Sequence, residues 1–114
     1  MFDNNCVFCR IIKGEIPAAK VYEDDKMCVF KDLEPKAKVH LLAVPKTHFK
    51  LLSEMEKEES EMLAYMLGKI PQIAADNGCG GGYRLIVNQG DDAGQTVFHL
   101  HIHILGGENL GDLR

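Results

Sequence analysis

At 114 residues the chain has length for one domain with a real core, spanning 1–114, and not for two. Its apolar fraction of 46% and charged fraction of 26% are those of a soluble globular protein, and no apolar stretch reaches membrane-span length. A formal net charge of −4, with no Lys/Arg cluster, argues against nucleic acid or an anionic membrane surface as partner.

The opening residues, Met1-Phe2-Asp3-Asn4-Asn5, lack a basic segment followed by an apolar run, so a cytoplasmic setting is expected. There the four cysteines read as thiols or metal ligands rather than disulfides. Residues 8–13 fit a short helical turn, closed by Gly14 and Pro17. Residues 20–23 and 27–32 form two strands around a turn at Asp24-Asp25, where the acidic pair is turn chemistry. Residues 39–45 make a third strand, with His40 among Leu41, Leu42 and Val44.

One long helix starts near Ser53. Ser53 and Glu56 fit a capping box, and Glu58, Glu59 and Glu61 favour the positive end of the helix dipole. Met55, Met62, Leu63, Met66, Leu67, Ile70, Ile73 and Ala74 recur at helical spacing and read as core. Pro71 removes a hydrogen bond and is expected to kink the helix or split it near Gly68. Asn77-Gly78 supplies the stop, and glycines at 80–82 make a loop. Residues 83–88 are the fourth strand and 97–105 the fifth. The expected class is α+β: a five-stranded antiparallel sheet, one long helix and a short N-terminal helix.

The fifth strand carries the chemistry. His99, His101 and His103 alternate with Phe98, Leu100, Ile102 and Ile104. In a strand, i and i+2 share a face, so the three imidazoles line up about 6.5–7 Å apart and the apolar set reads as core. Such a row suits an anion or a metal. The preceding Gly90-Asp91-Asp92-Ala93-Gly94-Gln95-Thr96 can aim backbone N–H groups at an anion, which suggests a phosphate cradle. A neutral imidazole is a competent nucleophile toward phosphorus, and a backbone carbonyl can hold its second nitrogen in one tautomer. Neither a Walker motif nor an acidic cluster suited to Mg²⁺ is present, so no Mg²⁺ requirement is expected.

His99-Leu100-His101-Ile102-His103-Ile104-Leu105 resembles the histidine-triad (HIT) signature, His-x-His-x-His followed by two hydrophobic residues. Four further segments are similar to the family's landmarks: Ile11-Ile12-Lys13-Gly14-Glu15-Ile16-Pro17, Phe30-Lys31-Asp32, His40-Leu41-Leu42-Ala43-Val44-Pro45-Lys46 and Tyr83-Arg84-Leu85-Ile86-Val87-Asn88. Gly106-Gly107 is similar to the Hint branch; the diadenosine-polyphosphate hydrolase branch usually carries Pro there. The resemblance implies nucleotidyl transfer or hydrolysis at the α-phosphate of a purine nucleoside phosphoramidate or related compound. It makes His101 the nucleophile, with His103 and His40 flanking the phosphate. Gly94, Gln95 and Thr96 would bind its oxygens, Asn88 would support the site, and Asp32 would hold the ribose hydroxyls. Phe8, Ile11, Phe30 and Leu33 match the base pocket. A homodimer is implied as well. On the residues alone, Asp32 also fits a strand-end cap, and Phe8 and Ile11 serve equally well as core. The other activities in view are a diadenosine-polyphosphate hydrolase and a nucleotide-binding or interaction module with incidental turnover.

Cys6-Val7-Phe8-Cys9 is a C-x-x-C without the βαβ context of a redox motif. His48 has no place in the phosphate site. Cys6, Cys9, His48 and His99 would form a Cys₂His₂ set suited to tetrahedral Zn²⁺. Some HIT-like proteins and the related galactose-1-phosphate uridylyltransferases carry zinc through a similar set. The expected zinc is structural: it pins the N-terminal segment to the sheet and orients His99. Cys28 and Cys79 take no part.

Overall fold

The computed structural model describes residues 5–113; the first four residues, on which the leaderless start was read, lie outside them. In chain order the elements are α1 (Val7–Ile12), β1 (Lys20–Glu23), β2 (Met27–Lys31), β3 (Val39–Pro45), α2 (Lys57–Asp76), β4 (Tyr83–Ile86) and β5 (Ile102–Gly106). Short 3₁₀ turns lie at Leu52–Glu54 and Asp91–Ala93. The strands form one antiparallel sheet in the order β1-β2-β3-β5-β4, so the last strand in sequence is flanked on both sides. This is the α+β architecture expected from the sequence.

Alternation on β3 sorts the two faces of the sheet. Leu41 and Ala43, with Ile102 and Ile104 of β5, pack under Met66, Ile70 and Ile73 of α2. Leu42 and Val44, with Cys28 and Phe30 of β2, pack under Phe8, Ile11 and Ile12 of α1. Each fully buried Ile, Leu or Met contributes about 1.5–3 kcal/mol. His103 stands opposite Leu42 in the β3–β5 register, which puts it on the α1 face with His40. His40 and His103 therefore share a face with the short helix, and the long helix carries the larger core on the other.

Several local expectations need correction. The fifth strand begins at Ile102, not 97, and β4 ends at Ile86, not 88. Phe98, expected in the core, is 40% exposed, and Leu67 is 45% exposed on the outer side of α2. The long helix starts at Lys57 with Glu56 as its cap, because Glu59 reaches back to the Glu56 N–H at 2.8 Å and completes a capping box one turn later than Ser53. Pro71 does not split α2, which runs through it. The proline is on the exposed side, where water can take the carbonyl it leaves without a donor. The Asp24 turn is built as expected: its carboxylate accepts from the backbone N–H groups of Lys26 and Met27, and from the Tyr22 and Tyr65 hydroxyls.

Gly106 is fixed by close approach. A Cβ there would sit 2.8 Å from Cys79 Sγ and 3.0 Å from the Gly82 carbonyl oxygen. Gly106→Ala is expected to destabilise the fold by about 1–3 kcal/mol through this overpacking, measured as a lower urea midpoint at unchanged slope.

Candidate functional site

Two polar clusters lie side by side under α1, and His99 serves both, one with its ring and the other with its carbonyl. In the first, one ligand atom from each of Cys6, Cys9, His48 and His99 lies within 4.8 Å of all the others. His99 Nδ1 is 3.3 Å from Cys6 Sγ, 3.5 Å from Cys9 Sγ and 3.1 Å from His48 Nδ1, which is itself 3.3 Å from Cys9 Sγ. A tetrahedral ion with bonds of about 2.3 Å to sulfur and about 2.1 Å to nitrogen sets neighbouring ligand atoms about 3.4–3.8 Å apart. The observed contacts fall within a few tenths of an ångström of those edges. A shared proton satisfies one such contact, whereas a central cation satisfies them all. His99 donates from Nε2 to the Pro45 carbonyl at 2.8 Å, which leaves the Nδ1 lone pair for the cluster. Burial holds the His99 pKa down at about 4, so the ring is neutral at pH 7.

The second cluster starts from backbone. The Lys36 N–H donates to His40 Nδ1 at 3.0 Å, so the hydrogen of His40 is on Nε2. That Nε2–H lies 2.9 Å from His103 Nδ1 and 3.4 Å from Asp32 Oδ2. His103 Nδ1 is therefore an acceptor, and its own hydrogen is on Nε2. His101 donates from Nδ1 to the His99 carbonyl at 2.8 Å, which leaves Nε2 with a free lone pair. The His101 and His103 ring centres are 5.1 Å apart.

A cavity of about 310 Å³ opens onto this pair, and its wall includes Phe8, Ile11, Phe30, Asp32, Leu33, Thr96, His101 and His103. Phe8 stands edge-on to Phe30 at 5.4 Å and to His101 at 5.1 Å. Leu33, 94% exposed, forms the rim. A larger cleft of about 560 Å³ beside Arg84 and Leu110 is lined by no histidine or cysteine among the described residues.

Eight of the expected site residues thus meet on one cavity, and four do not. His40 is off the cavity wall, with 3% of its side chain exposed, and braces His103 from behind. The Gly94 N–H is bonded to Asp91 O and the Gln95 N–H to Gly90 O. The Gln95 side chain accepts from Gly90 N–H and donates to Lys50 O and Val97 O. Gly94 and Gln95 therefore shape the loop and offer an anion no spare donor from these groups. Asn88 is half-buried past the end of β4, away from the cavity wall. A backbone carbonyl behind the nucleophile was expected, but which main-chain groups serve, those of Lys36, Pro45 and His99, escaped sequence reading because backbone groups carry no residue signature.

The sequence profile described as "Scavenger mRNA decapping enzyme C-term binding" matches residues 5–112. The chain is 48% identical to Protein HitA of Neisseria gonorrhoeae over 103 residues, 90% of this chain and 96% of that one. The solved histidine triad protein of Clostridium difficile superposes with a TM-score of 0.94 at 43% identity, over 100% of both chains. The chain belongs to the histidine-triad (HIT) family. A HIT family hydrolase from Legionella pneumophila matches with a TM-score of 0.88 at 41% identity, covering 93% of this chain and 96% of that one. A Zn-bound HIT protein from Mycobacterium smegmatis matches at 0.77 and 34%, covering 96% and 79%.

The HIT histidines of this chain are held neutral by burial, which lowers His40 and His101 and brings His103 to about 4. An unfolded histidine titrates near about 6.5. Between those values the unfolded chain takes a proton that the folded one refuses. The contribution is fully present above about pH 6.5 and is lost as pH falls toward 4, with a total of roughly 1–3 kcal/mol for His103. A series of thermal melts should show that decline, and His103→Gln should make it shallower, the other buried histidines supplying the remainder.

Proposed function

We propose that the protein is a nucleotide hydrolase or transferase acting at the α-phosphate of purine nucleoside phosphoramidates and related nucleotidyl compounds, through a covalent nucleotidyl-His101 intermediate. The observation that carries this reading is the hold on His101. With Nδ1–H fixed on the His99 carbonyl, Nε2 has a lone pair and the ring faces a nucleotide-sized cavity. Phe8 and Phe30 offer an aromatic wall to the base, and Asp32 an acceptor to the ribose hydroxyls. His101 Nε2 forms a bond to phosphorus as the bond to the leaving group breaks and the departing amine takes a proton from solvent. Water then displaces the imidazole, which recovers its electron pair, and a nucleoside monophosphate leaves. His103 Nε2–H and the Thr96 side chain on the cavity wall are the donors for the phosphoryl oxygens.

Cys6, Cys9, His48 and His99 would hold a Zn²⁺ ion, which when bound supplies cross-linking rather than chemistry at phosphorus. Reduced thiols as ligands accord with a cytoplasmic setting. No helix among the described residues is long and apolar enough to cross a membrane. The outer edge of β4 presents Tyr83 and Leu85, 38% and 37% exposed, which supports a homodimer through that edge.

The test is turnover of adenosine 5′-phosphoramidate beside diadenosine polyphosphate, without added Mg²⁺. Faster release of AMP from the phosphoramidate is expected. Preference for the dinucleotide assigns the other hydrolase, and nucleotide binding with no turnover of either assigns a binding module.

A further inference from the structure

A second cavity, of about 330 Å³, adjoins the nucleotide cavity: Val7, Thr96 and Val97 form walls of both. Along the shared cleft Asp32 stands with His40 and His103, their polar atoms within 4.8 Å of one another. Thr96 and Val97 stand at the border with the second cavity. With the ribose at Asp32 and phosphorus at His101, a substituent on phosphorus can reach the second cavity across Thr96 and Val97, which line both.

The second cavity has a chemistry of its own. Among the described residues, Lys50 is the only Lys or Arg that lines it, and no carboxylate does. No ion pair engages the Lys50 ammonium among the described residues; Glu54 Oε1 accepts instead from the backbone N–H groups of Lys50 and Leu51. Cys6 and His48 form another wall, and as part of a two-thiolate set around a divalent ion they add no net charge. Val7 and Phe98, 39% and 40% exposed, supply apolar surface. The cavity therefore offers one cation and an aromatic face to a group that enters from the phosphorus end.

We propose that this second cavity is the leaving-group subsite and that Lys50 selects leaving groups bearing an anionic substituent, a carboxylate or a phosphate. The proposal rests on the reaction read above. Phe98, which sequence alternation assigns to the core, instead lies outside as a wall for the departing group. The Lys50 contact is solvent-screened, so the preference is modest, of order fivefold.

Three P–N conjugates of adenosine 5′-phosphate test it: glycine, aminomethylphosphonate and glycinamide, which share an amine and differ in charge. Affinities are read on the unreactive His101→Asn protein and turnover on the unmodified one. At least one anionic conjugate is expected to exceed glycinamide by about fivefold in both readouts. Lys50→Glu should bring that ratio to one or below, in turnover and, with His101→Asn, in affinity. The acid more strongly favoured identifies the source, carboxylate or phosphate. Equal affinities for the three conjugates, or a ratio that survives Lys50→Glu, overturn the subsite. Failure of the unmodified protein to turn over any conjugate overturns the reaction instead, while the affinities still decide the subsite.

Discussion

Replacing His101 with Asn is expected to lower turnover of adenosine 5′-phosphoramidate by about 10³–10⁵-fold, with nucleotide affinity changed far less. The size of the loss follows from the route: without Nε2, phosphorus has no protein partner, and water must displace the amine in one step. Asn retains a donor that can reach the His99 carbonyl, so the loop and cavity keep their shape. A second variant, His101→Gly, should regain part of its turnover when imidazole is supplied in solution. Rescue distinguishes a missing nucleophile from a disturbed fold. Near-normal turnover by His101→Asn would refute the nucleotidyl-His101 route.

Removing the metal is expected to have the second largest effect. The protein should purify with close to one zinc per chain, and a strong chelator should lower its melting temperature by about 10–20 °C. That range follows from a free-metal concentration about a thousand times the dissociation constant, equivalent to about 4 kcal/mol. Cys9→Ser should reproduce the loss and prevent its reversal by added zinc, because Cys9 touches both His48 and His99. Turnover should fall with the metal, since the carbonyl that positions His101 belongs to His99, one of the four residues of the cysteine–histidine cluster. Zinc far below one per chain, with melting unmoved by chelator, would remove the metal from the account.

The sheet was largely legible because alternation, β-branched residues and turn signals act locally. β3 matches its expected limits of 39 and 45, and β1 its limits of 20 and 23. The histidine segment shows where such reading stops. Alternation reports which side a residue faces, and that pattern holds from His101 to Ile104: Ile102 and Ile104 pack under α2 while His101 and His103 line the cavity on the other side. It does not report who bonds the backbone. At Leu100 the N–H goes to Phe49 O at 2.7 Å instead of to a neighbouring strand, so 97–101, with bends at Val97 and His99, lies outside the ladder. The helix start was missed because two capping patterns overlap, one at Ser53 and one at Glu56, and the side-chain bond from Glu59 back to the Glu56 N–H, which forms only in the fold, chooses between them. The cysteine–histidine cluster was legible as a set of ligand types. Its closure across 93 residues, from Cys6 to His99, is a property of the fold. His40 was placed in the right neighbourhood and in the wrong layer, since depth behind another side chain leaves no mark on a sequence.

The strand order also governs when the molecule can exist during synthesis. β5 leaves the ribosome after β1 to β4, and both β3 and β4 need it as a neighbour. Until it emerges, the earlier strands form at most a three-stranded piece, with β4 unpaired. Nascent chains arrested before Ile102 should therefore remain protease-sensitive however long they wait. The histidine cavity comes into being in the same moment as the sheet.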